Sequence, residues 1–141
     1  ILAVIRERIS IIIEEININK EALLNKVRDF STNISIHSSE KDIARLKIDE
    51  KAMEMQKAKL EARHFVFNKP KKIAEIDYQI SQCRAAQKNT VDLITELKGE
   101  IEDRRQNLTD RRVSLDKRIA ELNKDKEIPK KQRSMNHEME R

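Results

Sequence analysis

Residues 71–127 read KKIAEIDYQISQCRAAQKNTVDLITELKGEIEDRRQNLTDRRVSLDKRIAELNKDKE. Within this stretch Ile73, Ile80, Gln87, Ile94, Ile101, Leu108, Leu115 and Leu122 recur at every seventh position, with a single polar member. A companion row begins Ile76, Cys83, Thr90 and Leu97 and then turns basic at Arg104, Arg111 and Arg118. Rows offset by three and four residues and repeated by sevens set one apolar seam along a helix. One long helix is therefore predicted over 71–127. Gly99 weakens it by about 1 kcal/mol, too little to end it. Pro129 lacks a backbone donor and is expected to stop the helix, leaving 128–141 as a basic, frayed tail.

Upstream of the long helix stands Phe65-Val66-Phe67-Asn68-Lys69-Pro70, where the aromatics cluster and a Pro follows. The residue before Pro is pushed out of the α region, and Pro itself suits the first turn of a new helix. A turn at 68–70, near the middle of the chain, is the consequence. Before it, Leu46, Met53, Leu60 and Phe67 form a heptad row and predict a helical segment over 40–67. Further back, Leu2, Ile9, Ile16, Leu23 and Phe30 form another, with Ile5 and Ile12 beside it until Asn19 and Lys26 interrupt. Ile11, Ile13, Ile18, Leu24 and Val27 widen this seam, so residues 1–30 are expected to be an amphipathic helix touching more than one neighbour. The β-branched run from Ser10 to Ile13 also suits a strand, but charged and polar residues punctuate it at helical intervals.

Between the two rows the chain reads STNISIHSS over 31–39, and these side chains compete for backbone hydrogen bonds. Phe30 and Leu46 lie sixteen residues apart, two more than two heptads, so one seam cannot carry both rows. A hinge or loop at 31–39 is the natural reading, with Ser39 and Asp42 resembling a helix start. The expected fold class is all-α: an elongated coiled coil, as an antiparallel helical hairpin with arms 1–67, jointed near 31–39, and 71–127. Setting Phe30 opposite Leu108 places Leu23 by Leu115 and Ile16 by Leu122; a parallel oligomer is the alternative arrangement.

Composition agrees with long helices. Charged residues make up 39% of the chain and aromatics 3%, with one Gly, two Pro and no Trp. A compact globule would draw on larger aromatic surfaces and more glycines in its loops. Disorder is opposed by the regular apolar rows and by a net charge of only +5. Lone Cys83, at helical spacing from Ile76 and Ile80, reads as a small buried hydrophobe and favours a reducing intracellular compartment. The apolar opening segment is interrupted by Arg6-Glu7-Arg8 and Glu14-Glu15, which removes a membrane span and a secretory signal. Opening on Ile1 and already in phase, the chain reads as a portion of a longer protein.

No catalytic, cofactor-binding or metal-binding residues are expected. His37, His64 and His137 have no second His or Cys at the i+3 or i+4 spacing of a helical metal site. Gly99 alone cannot build a phosphate-binding loop, and no nucleophile stands in an elbow or triad pattern. Carboxylates on a narrow helix pair lack the concave, dry environment that tunes acids and bases. The chain is thus expected to be no enzyme, with no small-molecule substrate. Its one sharp feature is a stripe of arginines: Arg104, Arg105, Arg111, Arg112 and Arg118. The stripe suits a phosphate backbone or an acidic partner helix. Interleaved Glu100, Glu102, Asp103, Asp110, Asp116 and Glu121, and carboxylates of the first arm such as Glu14, Glu15 and Glu21, give the competing structural reading.

The functional expectation is a structural or protein-interaction module. It would space, dock or oligomerise through its helical seams, with a protein partner or a second copy of itself. Nucleic-acid binding through the arginine stripe is the alternative, and a membrane-surface helix over residues 1–27 is a third reading.

Overall fold

The structure is a computed structural model that describes residues 1–139, with side chains described through residue 124. Among the described residues there are two α-helices, α1 (Leu2–Ala62) and α2 (Lys69–Met139), and no strand. The fold is an all-α helical hairpin. Its contacts divide it into two units, one of Ile1–Arg28 with Glu102–Arg141 and one of Asp29–Ile101.

In the first unit the helices run antiparallel, since Glu14 meets Arg111 while Glu7, seven residues earlier, meets Arg118, seven residues later. Its core is Ile11, Ile18 and Leu115, with Leu108, Ile119 and Leu122 packed against them. Leu115 therefore packs with Ile11 and Ile18, not with Leu23. This changes the expected register as well as the expected face.

In the second unit the turn closes a tight hairpin. Helix α1 ends at Ala62, so the segment expected to reach residue 67 is shorter, and the turn occupies 63–68 rather than 68–70. Asn68 takes a φ of 52°, a left-handed conformation that Asn tolerates better than most residues. The amide of Lys72 then bonds the Asn68 carbonyl at 3.0 Å, and Pro70 sits in the first turn of α2, where its missing donor is not needed. Lys69 Nζ donates to the carbonyls of Glu61 and Arg63, at 2.9 Å each, and so occupies acceptors that the end of α1 leaves open. Ile36, Ile76, Ile80, Cys83 and Ile94 are buried. The Cys83 thiol donates to the Leu46 carbonyl at 3.1 Å.

Two expected interruptions are absent. The hinge at 31–39 is continuous helix. Its hydroxyls do not compete the backbone away: Ser35 Oγ bonds back to the Ser31 carbonyl at 3.3 Å, while Thr32 and Ser39 are buried. No buried side-chain nitrogen or oxygen among the described residues lacks a partner. A hydroxyl that bonds back to its own helix, as that of Ser35 does, leaves the backbone ladder in place. Pro129 does not end α2 either, which continues to Met139. A proline deletes one backbone hydrogen bond and crowds the preceding turn, a local cost that leaves the flanking bonds available. The expected tail at 128–141 is therefore helix as far as Met139, and its last two residues lie outside the described part.

Candidate interaction surface

Helix α1 carries two apolar rows, and the structure puts them on opposite sides. The inward row is Ile11, Ile18, Asn25, Thr32, Ser39, Leu46, Met53 and Leu60, unbroken at a spacing of seven and buried or half-buried throughout. The expected seam of the N-terminal segment, Leu2, Ile9, Ile16, Leu23 and Phe30, is exposed at every position. Two residues along a helix turn a side chain by about 200°. Ile9 and Ile11 thus face opposite ways, as do Ile16 and Ile18. The two extra residues between Phe30 and Leu46 mark two faces of one helix, not a break in it.

On the outward side of the first unit, Leu2, Ile5, Ile9, Ile12, Ile13, Ile16, Leu23 and Val27 line a single stripe, 48% to 72% exposed. Only Lys20 interrupts it. By contrast Ile11 and Ile18 retain 7% and 2% of their surface. Phe30 and Ile34, in the second unit, are exposed too.

The predicted seam of α2 faces inward. Ile80, Ile94 and Leu115 are buried, and Ile73, Ile101, Leu108 and Leu122 are half-buried. On α1, Leu46, Met53 and Leu60 are half-buried as well, whereas Phe67 is 83% exposed because the helix has ended before it.

The arginine stripe separates into two sets. Arg104, Arg111 and Arg118 occupy the companion row and are half-buried, while Arg105 and Arg112 point to solvent. Arg111 donates from Nε and Nη2 to one carboxylate oxygen of Glu14, at 3.1 and 3.0 Å. Arg118 donates to Glu7 at 2.9 Å and to Ser10 Oγ at 2.7 Å. Arg105 lies 3.9 Å from Glu102. Glu21 serves its own helix, accepting from Arg28 at 2.6 Å, and Glu15 is exposed. Glu7 was missed by sequence reasoning. Its signal was available, since Glu7 and Glu14 repeat by seven as Arg111 and Arg118 do.

The second unit holds a further ionic cluster. Glu50 accepts from Arg84 Nε at 2.6 Å and from Gln87 at 2.8 Å, Arg84 also reaches Glu54 at 3.2 Å, and Lys57 lies 2.6 Å from Asp77. The Arg84 guanidinium, with help from the Gln87 amide, holds the Glu50 carboxyl below its ordinary pKa. The hydrogen bond to Asp77 raises that of Lys57. These pairs join α1 to α2 across the hairpin. Gln87, a polar interruption by sequence, is a donor in this cluster.

At the turn, Phe65 is fully exposed and Phe67 nearly so, among Arg63, His64, Lys69, Lys71 and Lys72. No cluster of three or more His, Cys, Asp or Glu side chains able to hold a metal ion occurs among the described residues. No helix among them is long and apolar enough to cross a membrane. Comparison with protein-family models, with curated proteins and with solved structures finds no match for this chain.

Proposed function

We propose that the chain is a non-enzymatic helical interaction module that oligomerises, and so spaces or docks parts of a larger assembly, through the outward stripe of α1. The supporting observation is the row of eight exposed aliphatic side chains from Leu2 to Val27, opposite the face already used within the first unit. Each such side chain can withdraw roughly 60–100 Å² from water. Together they offer on the order of 600 Å² per chain, near the ~800 Å² per partner of a standard stable interface. Lys20 in the stripe restricts register at some cost in affinity.

Nucleic-acid binding through the arginine stripe has less in its favour. Arg111 and Arg118 are already turned toward Glu14, Glu7 and Ser10, so a phosphate backbone would have to displace those contacts.

The test is a triple variant, Ile9→Gln, Ile16→Gln and Leu23→Gln. Helicity by circular dichroism is expected to stay within a few per cent of the parent chain. The mass measured by light scattering is expected to fall from a multiple of the chain to that of one chain. Equal masses for parent and variant would overturn the reading.

A further inference from the structure

Phe65 and Phe67 have no packing role that their exposure allows. Phe65 keeps 100% of its surface and Phe67 83%, while Val66 between them is half-buried. All three residues lie in the turn between the helices, past the end of α1. The hairpin thereby presents two phenyl rings at its tip, where nothing else in the second unit covers them.

The charge around the rings is of one sign. From Ala62 to Ala74 the chain carries Arg63, Lys69, Lys71 and Lys72 and no carboxylate, with Glu61 and Glu75 as the nearest acids. Acid-free runs also occur over 78–91, with Arg84 and Lys88, and over 128–137, with Lys130, Lys131 and Arg133; what sets the tip apart is that its four basic residues flank two exposed phenyl rings. Lys69 is spent on the carbonyls of Glu61 and Arg63, which fixes the turn while leaving its charge in place. Lys71 and Lys72 follow on the exposed first turn of α2, and Arg63, which precedes the rings in sequence, is exposed.

We propose that this tip is a peripheral membrane contact: Phe65 and Phe67 enter the interfacial region of an anionic bilayer while Arg63, Lys71 and Lys72 lie against its acidic headgroups. Stable but reversible attachment of a soluble element calls for two signals, an apolar insertion and a basic patch. Anionic leaflets attract such basic patches over about a Debye length, which makes the attachment depend on salt. Both signals occur within ten residues at the tip. Single-stranded nucleic acid shares the preference for aromatics beside basic groups, but it is held in a charged groove that tracks its backbone. This tip offers no such groove, because Phe65 is open to solvent on every side. A convex apolar point suits a soft bilayer better than a strand.

The whole chain is sedimented with vesicles of phosphatidylcholine alone or with three parts in ten phosphatidylserine. Binding is expected to the anionic vesicles and to be at least tenfold weaker to the neutral ones and in 500 mM salt. Phe65→Ser with Phe67→Ser, and separately Lys71→Glu with Lys72→Glu, are each expected to reduce it at least tenfold without change in helicity. Because the chain has no Trp, Phe65→Trp gives a local probe whose emission should shift to the blue on anionic vesicles. Three results would overturn the proposal: no binding to anionic vesicles in low salt, binding that survives loss of both phenyl rings, or a Trp probe that responds to a single-stranded oligonucleotide and not to vesicles. Lys41→Glu with Lys51→Glu, two exposed positions of α1 outside the tip, serves as the control. It should keep vesicle binding, and an equal loss there would show that net charge, not the tip, draws the chain to the vesicle.

Discussion

Glu50 shows how a single charged residue links register to pH. Its carboxylate is largely covered and accepts from both Arg84 and Gln87 across the hairpin, which holds its pKa below the ordinary value. A carboxyl depressed by folding adds stability that is present above its unfolded pKa, near 4.3, and is lost as pH falls through the folded value. Lys57 works in the other sense: with its pKa raised by Asp77, its contribution holds below the unfolded value, near 10.4, and is lost as pH rises through the folded one. Chemical denaturation of the parent chain is therefore expected to show stability declining below about pH 4.5, with a shallower decline in Glu50→Gln. An identical acid profile in the variant would show that Glu50 is no part of the pH response.

At the scale of the element, Ser39 decides between two accounts of the middle of α1. As a helix start, the reading its sequence context suggests, Ser39→Ala would remove a cap and cost about 0.5–2 kcal/mol. As a buried position inside a continuous helix, the same change removes a hydroxyl and gains helix propensity of up to about 0.5 kcal/mol. A small rise in thermal midpoint is expected, and a fall of several degrees would restore the break. The same segment shows what was legible in the sequence. The row of α2 could be read directly because every seventh residue from Ile73 to Leu122, except Gln87, is apolar. The inward row of α1 could be read only over Leu46, Met53 and Leu60; upstream, Asn25, Thr32 and Ser39 break its apolar character while richer apolar residues line the other side. Hydrophobicity alone picks the greasier face, and here that face is the outward one. The turn was legible from Pro70, but its true extent depended on the left-handed Asn68 and the Lys69 staple, which are matters of geometry.

At the scale of the molecule, each unit has its own buried residues, Ile11, Ile18 and Leu115 in one and Ile36, Ile76, Ile80, Cys83 and Ile94 in the other. What a helix pair gains from packing is proportional to the apolar stripe it buries, and the polar stretch of the inward row, from Asn25 to Ser39, adds little of it. Cooperativity is therefore expected to weaken there, with each unit opening at its own free energy. Leu115→Ala tests this, since it empties the centre of the first core; truncations of this kind cost about 2–5 kcal/mol in a full core and less where the site is open on one side. Hydrogen exchange should accelerate strongly across residues 2–28 and 102–122 and little across 40–62 and 70–95. Ile80→Ala should do the reverse. Equal acceleration in all four segments for both variants would mean that the chain opens as one cooperative body, and that Asn25, Thr32 and Ser39 transmit stability as well as the isoleucines do.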